Sequence, residues 1–206
     1  MQASTKKEVS CKALDTIFGY AKQKNIELDS LILDVPYDLS YLLNKRERIE
    51  WSVWCKIISN SRKYFELSEY EEMGRSFVSR GTYWEGILWG FFLFTSNKFS
   101  RLLYNQIFKI GASMFSCIKH HTDFVNPNRF IATAFLDEGY EVPVEWALMC
   151  KGVWEQLGSK IGQKGFKVDT TVIEQKIIFD VSCGLITMNT VILPSHTISN
   201  SIHKLC

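Results

Sequence analysis

His120 and His121 are adjacent, and imidazoles are well suited to hold a metal or a haem iron. Neighbours along a strand point to opposite faces, so this pair cannot readily share one ion. A haem would need one ring turned into a deep apolar pocket. A strand end reaching solvent is the simpler reading, and with His196 and His203 remote in the final segment no metal site is expected. Asp137, Glu138 and Glu141 gather around Gly139-Tyr140, just before Pro143. Acid–base chemistry would require a histidine, lysine or nucleophile at an informative spacing beside them, and the sequence supplies none. Carboxylates placed there favour the N-terminus of a following helix instead. Arg75 and Arg80, within Gly74-Arg75-Ser76 and Ser79-Arg80-Gly81, are candidates for contact with an anionic ligand or with neighbouring acids. The six cysteines, at 11, 55, 117, 150, 183 and 206, show no CxxC and no pairing pattern. They read as reduced thiols of a cytoplasmic protein, with Cys117 and Cys150 as interior residues. No phosphate loop, GxSxG elbow, HExxH pair or kinase signature occurs, and the chain does not read as an enzyme.

What remains is apolar chemistry. Trp84 to Phe94, WEGILWGFFLF, is apolar on every side apart from Glu85 and two glycines, so it must lie inside something. A membrane span needs about 20 apolar residues, and this run is shorter and flanked by Arg80, Lys98 and Arg101. It reads as a helix buried in a soluble domain, with Gly86 and Gly90 on one face where another backbone can approach. Aromatic residues pack cores and also wall pockets for flat or oily ligands. Trp84, Ile87, Leu88, Trp89, Phe91 and Phe92 of this run, with Trp146 and Trp154 of a later helix, are therefore candidates for a ligand pocket or a dimer contact.

The elements that must position these residues divide at about residue 111. At 206 residues and 46% hydrophobic content the chain suits a packed core, and a formal net charge of +2 gives no argument for nucleic acid. Spacing predicts a first helix over Val9 to Ala21 with a stop at Asn25, and compact connecting structure in which Asp38 or Ser40 caps a brief turn. A helix carrying Ile49, Val53, Trp54, Ile57 and Ile58 follows. Another starts at Glu69 from the Ser68-x-x-Glu71 capping box and ends near Gly81. Beyond Gly111 the period changes. Ser113 to His121 and Arg129 to Leu136 read as a hairpin, Pro143 opens a helix through Leu157, and Phe166 to Thr171 and Lys176 to Ser182 alternate as strands. The expected class is α+β, a helical N-terminal half on an antiparallel sheet of about four strands with one helix inserted (ββαββ). The expected divisions are a disordered 1–8, a single domain over 9–183 and a poorly ordered tail over 184–206.

The helix EMGRSFVSRG, the aromatic run, the hairpin, FLDEGYEVPVEWALMCKGVWEQLG and a final strand pair occur in an order similar to one known ligand-binding fold. It is shared by haem-nitric-oxide-binding domains, TRAPP-type trafficking subunits and vinyl-reductase-like domains, and the chain resembles above all the N-terminal domains of bacterial sensor histidine kinases. The resemblance implies a helical layer on a sheet, an apolar pocket between them, frequent dimerisation and regulatory work. The Tyr-x-Ser-x-Arg signature of the haem-binding branch is absent. The string Phe77-Val78-Ser79-Arg80 lacks its tyrosine and sits too early, so haem is not expected as a cofactor. The expected function is thus a non-catalytic sensory domain of bacterial signal transduction. It would bind a small apolar ligand or a signalling partner such as a kinase module, with a dimeric interaction or scaffold protein as the alternative.

Overall fold

The computed structural model describes residues 6–80, 111–126, 128–160 and 165–182. It begins with a strand, β1 (Lys7–Ser10), where the sequence suggests a disordered terminus running into a helix. β1 pairs antiparallel with β2 (Arg48–Glu50), Val9 opposite Ile49, and both residues are fully buried. The Arg48 guanidinium donates to the backbone oxygens of Lys7 and Glu8, at 3.2 and 2.6 Å. Helical spacing misreads this stretch for a local reason. The strand turns at Ser10 into a 3-10 turn (Cys11–Leu14) and then α1 (Asp15–Gln23), so Val9, Ala13, Leu14 and Ile17 all face the same core. Ile49 likewise belongs to β2 and not to the helix after it.

The stop at Asn25 is where the sequence places it. Asn25 takes φ 56°, its amide donates to Lys22 O at 3.2 Å, and the Ile26 amide donates to Ala21 O at 2.9 Å, a Schellman closure of α1. In the connecting segment a 3-10 turn (Leu28–Leu31) precedes α2 (Leu39–Leu43), whose cap is Asp38, with Oδ1 accepting from the Tyr41 amide at 2.7 Å. α3 (Trp51–Ser61) holds this segment through Asn60, whose side-chain amide donates to Leu31 O and Leu33 O at 3.0 and 2.8 Å. α4 spans Leu67–Arg80. Its N-terminal glutamate is Glu69, which accepts from the Glu66 amide at 2.9 Å, so the reciprocal bond forms two residues earlier than the Ser68 spacing suggests.

The second half is ββαββ: β3 (Lys119–Asn126), β4 (Arg129–Phe135), α5 (Val144–Lys160), β5 (Lys167–Ile173) and β6 (Lys176–Ser182). The four strands form one antiparallel sheet in the order β3-β4-β6-β5. Register places Phe124, Phe130, Val181 and Val168 in one row across the sheet, then Thr122, Ala132, Phe179 and Thr170, then His120, Ala134, Ile177 and Val172. All three rows share one face because side chains alternate, and that face carries the buried members of β4, β5 and β6. β3 starts later than its sequence-derived position. Residues 111–114 are helical, and the strand runs on through Val125.

α5 packs on the sheet and against α4. The α4–α5 crossing is set by two glycines. A methyl built on Gly74 would overlap the Met149 carbonyl, and one built on Gly152 would overlap the Glu71 carbonyl, so the two backbones touch. Around this contact Lys151 bonds Glu71 at 2.6 Å, and Arg75 lies between Glu71, at 3.5 Å, and Glu155. No helix among the described residues is long and apolar enough to cross a membrane.

Candidate functional site

The helical half and the sheet do not close completely on each other. Between them lies a cavity of about 140 Å³, close to the roughly 150 Å³ that stays dry and admits benzene when its walls are apolar. Its largest wall is one face of α5, where Trp146, Met149, Cys150, Val153 and Trp154 recur at helical spacing. Trp54 of α3, Phe77 of α4, and Ala13 and Thr16 at the entry to α1 line it as well. Residues 111–118 contribute Met114, Phe115 and Ile118, and the sheet contributes Ala134 and Phe179.

Phe115 is the keystone among the rings. It sits edge-on to Trp54 at 5.6 Å and tilted to Trp146 at 5.5 Å, while Trp51 meets Trp146 edge-on at 5.1 Å. Such arrangements set the positive ring edge against a negative face. Phe115 is fixed by the N-terminus. Val9 bridges to it, and the Ser116 amide donates to Glu8 O at 2.9 Å. The Glu8 carboxylate, 3% exposed, accepts from Tyr140 Oη at 2.7 and 2.8 Å. The loop before α5 is held in turn by Trp51 Nε1, which donates to Glu141 O at 2.8 Å.

Each residue singled out in the sequence has a definite place or lies outside the described residues. Trp146 and Trp154 are together on the cavity wall. Trp84, Ile87, Leu88, Trp89, Phe91 and Phe92 lie outside the described residues, as do Gly86 and Gly90 and the 184–206 tail. Arg75 meets Glu71 and Glu155 of its own chain, and Arg80 is the last residue of α4. His120 and His121 part as strand geometry requires: His120 belongs to the inner face and lines the cavity, and His121 pairs with Asp123 at 2.9 Å. Asp137 bonds Lys119 at 2.5 Å on the surface. Trp54, Phe115, Phe77 and Ala134 were not among the residues that the sequence singled out for the site. Trp54 stands three residues from a second tryptophan on an apolar helix face, the one local sign that aromatic faces gather there.

Burial pushes the thiols up, to about 11 for Cys11 and about 12 for Cys55, Cys117 and Cys150. At pH 8 the Cys117 and Cys150 thiolates should be roughly a thousandfold rarer in the fold than in the unfolded chain, and reaction requires the thiolate. Alkylation by iodoacetamide, mapped by mass spectrometry, should therefore mark both residues far more slowly in native protein than in urea. A folded-state pKa raised above the ordinary 9.0 means that this contribution to stability is complete below pH 9 and is lost as the pH rises toward 12.

Solved structures share this architecture. A Cs H-NOX mutant carrying 4-cyano-L-phenylalanine matches with a TM-score of 0.60 at 10% identity, covering 85% of this chain and 96% of that one. An Fe(II) unliganded H-NOX protein mutant from K. algicida matches with a TM-score of 0.62 at 8% identity, over 85% and 97%. At such identities the likeness establishes the fold. No family model matches the chain, and no curated protein does either. The comparison corrects one expectation. The missing signature set haem aside, but the structures that superpose on this chain are of the haem-nitric-oxide-binding kind, one of them in an Fe(II) state, so haem returns as a candidate. The described residues supply one imidazole on the wall, His120, and aromatic faces beside it. No lysine or arginine is among the described lining residues to meet propionates.

Proposed function

We propose that the chain is a non-catalytic sensory or regulatory domain that binds a small apolar molecule in the cavity between α5, the sheet and the N-terminal helices. The observation that carries this reading is the cavity itself, predominantly apolar in its lining and walled by Trp54, Trp146, Trp154 and Phe115. The H-NOX-like fold supports it, since those relatives are named as haem-nitric-oxide-binding domains. The mechanism is a population shift. An occupant that fills the space favours the packing in which α5 stands against it, and a ligand shifts an equilibrium only by its differential affinity for the two states. On this reading the output passes to a signalling partner such as a kinase module.

Native mass spectrometry and an absorbance scan of freshly purified protein, followed by thermal-shift measurements across small apolar compounds, test the reading. A retained small molecule, a Soret band from bound haem, or stabilisation by benzene-sized compounds supports ligand binding. Protein that retains nothing and shifts with none of them refutes it. Ala134→Phe directs a ring from the sheet into the cavity and should weaken binding of a benzene-sized ligand at least about tenfold, at a packing cost of about 1–3 kcal/mol. Calorimetric titration of wild type and variant checks this.

A further inference from the structure

β3 forms one edge of the four-stranded sheet, and among the described residues no strand pairs with its outer side. A monomer ordinarily blunts such an edge with proline, with a lysine in its middle or by keeping it short. β3 does none of these: KHHTDFVN is eight residues long, has no proline and carries its one lysine at the first position. Six of the eight residues are exposed, and only Thr122 and Phe124 are half-buried.

Along an antiparallel strand every second residue turns its N–H and C=O to the same side. Two copies of one edge therefore meet about a two-fold axis that passes through a residue, and the residue types decide which one. At His121 two imidazoles would face each other, and at Asp123 two carboxylates. At Thr122 each His121 stands opposite the partner's Asp123 on the outer face, and each His120 opposite the partner's Phe124 on the inner one, both favourable cross-strand pairs. His121 and Asp123 already bond within one strand at 2.9 Å, so two copies complete an alternating ring of four. The other edge offers no such match. Centred on its middle residue, Thr170, β5 would set Lys167 against Ile173 and Asp169 against Thr171.

We propose that the edge of β3 docks a second copy of this chain, antiparallel about Thr122, so that the two four-stranded sheets run on as one across a dimer. The contact is closed, since each copy covers the same edge of the other, and it does not depend on an occupant in the cavity.

Sedimentation equilibrium of the full chain should show monomer and dimer and nothing larger. His121→Asp and Asp123→Lys should each weaken the dimer about tenfold, because each removes both symmetry-related attractions. The two side chains are 64% and 66% exposed, so the fold is not at stake. The exchanged double variant His121→Asp/Asp123→Lys should recover the dimer, and the two single variants, mixed, should pair with each other more tightly than either does with itself. A merely local change within the strand would give neither recovery. Asp169→Lys, on the other edge, should leave the dimer as it is. A monomer at every concentration up to about 1 mM, oligomers that grow beyond two, a dimer indifferent to both single variants, an exchanged variant that stays monomeric, or a dimer lost in Asp169→Lys would overturn the proposal.

Discussion

Gly152→Ala should cost the fold about 3 kcal/mol or more, beyond the usual range for an added methyl. The reason is geometric. The new Cβ would lie inside the Glu71 carbonyl, with the Arg75 amide 3.0 Å away, and neither is the end of a flexible side chain that can swing aside. α4 and α5 would have to separate, and the Lys151–Glu71 and Arg75–Glu155 pairs that flank the contact would separate with them. For a chain of this length that loss lowers the melting temperature by about 6–12 °C. Gly111→Ala is the matched control, since nothing among the described residues lies within 4 Å of its Cβ, and it should stay within about 0.5 kcal/mol of wild type. Equal melting temperatures for Gly152→Ala and wild type would mean that the helices do not meet by their backbones.

The second large effect is expected at Arg62. Glu145, in the first turn of α5, is 4% exposed, and its two oxygens accept from Arg62 Nε at 2.5 Å and Nη2 at 2.9 Å. That hydrogen-bonded pairing raises the guanidinium's pKa further above its ordinary value. Arg62→Leu would leave a carboxylate in the interior with no cation. Losing one partner of a fully buried pair costs about 3–5 kcal/mol. Because the Arg62 side chain is half exposed and the helix N-terminus offsets part of the charge, about 2 kcal/mol is expected here. The double variant Arg62→Leu/Glu145→Gln should recover part of that loss, because no charge is then left buried alone. Urea denaturation of the two single variants and the double variant completes the cycle. Additive losses would mean that the pair is not coupled.

How much of this could be read beforehand follows from what each residue pattern encodes. Phe166–Thr171, Lys176–Ser182 and the helix after Pro143 were legible because alternation and helical spacing are both strong there, and the ββαββ order followed from them. β3 was misplaced because it is an edge strand, KHHTDFVN, exposed along most of its length, so it carries no apolar alternation to detect. β1 was missed because a four-residue strand followed by a 3-10 turn mimics one helical stripe. Trp146 and Trp154 could be singled out because large aromatic rings on one helix face are conspicuous. Trp54 and Phe115 could not be, because periodicity tells which side chains face inward and not where the facing surfaces leave space unfilled. The backbone contact of α4 with α5 is made at Gly74 and Gly152, two residues 78 positions apart whose partnership no local spacing announces.

The contact between α4 and α5 also governs how a guest would be felt elsewhere. Two rods whose main chains touch, clamped by four alternating charges, cannot slide past one another without breaking that clamp. A displacement started at Trp146 or Trp154 therefore carries α4 along with α5 as a single lever.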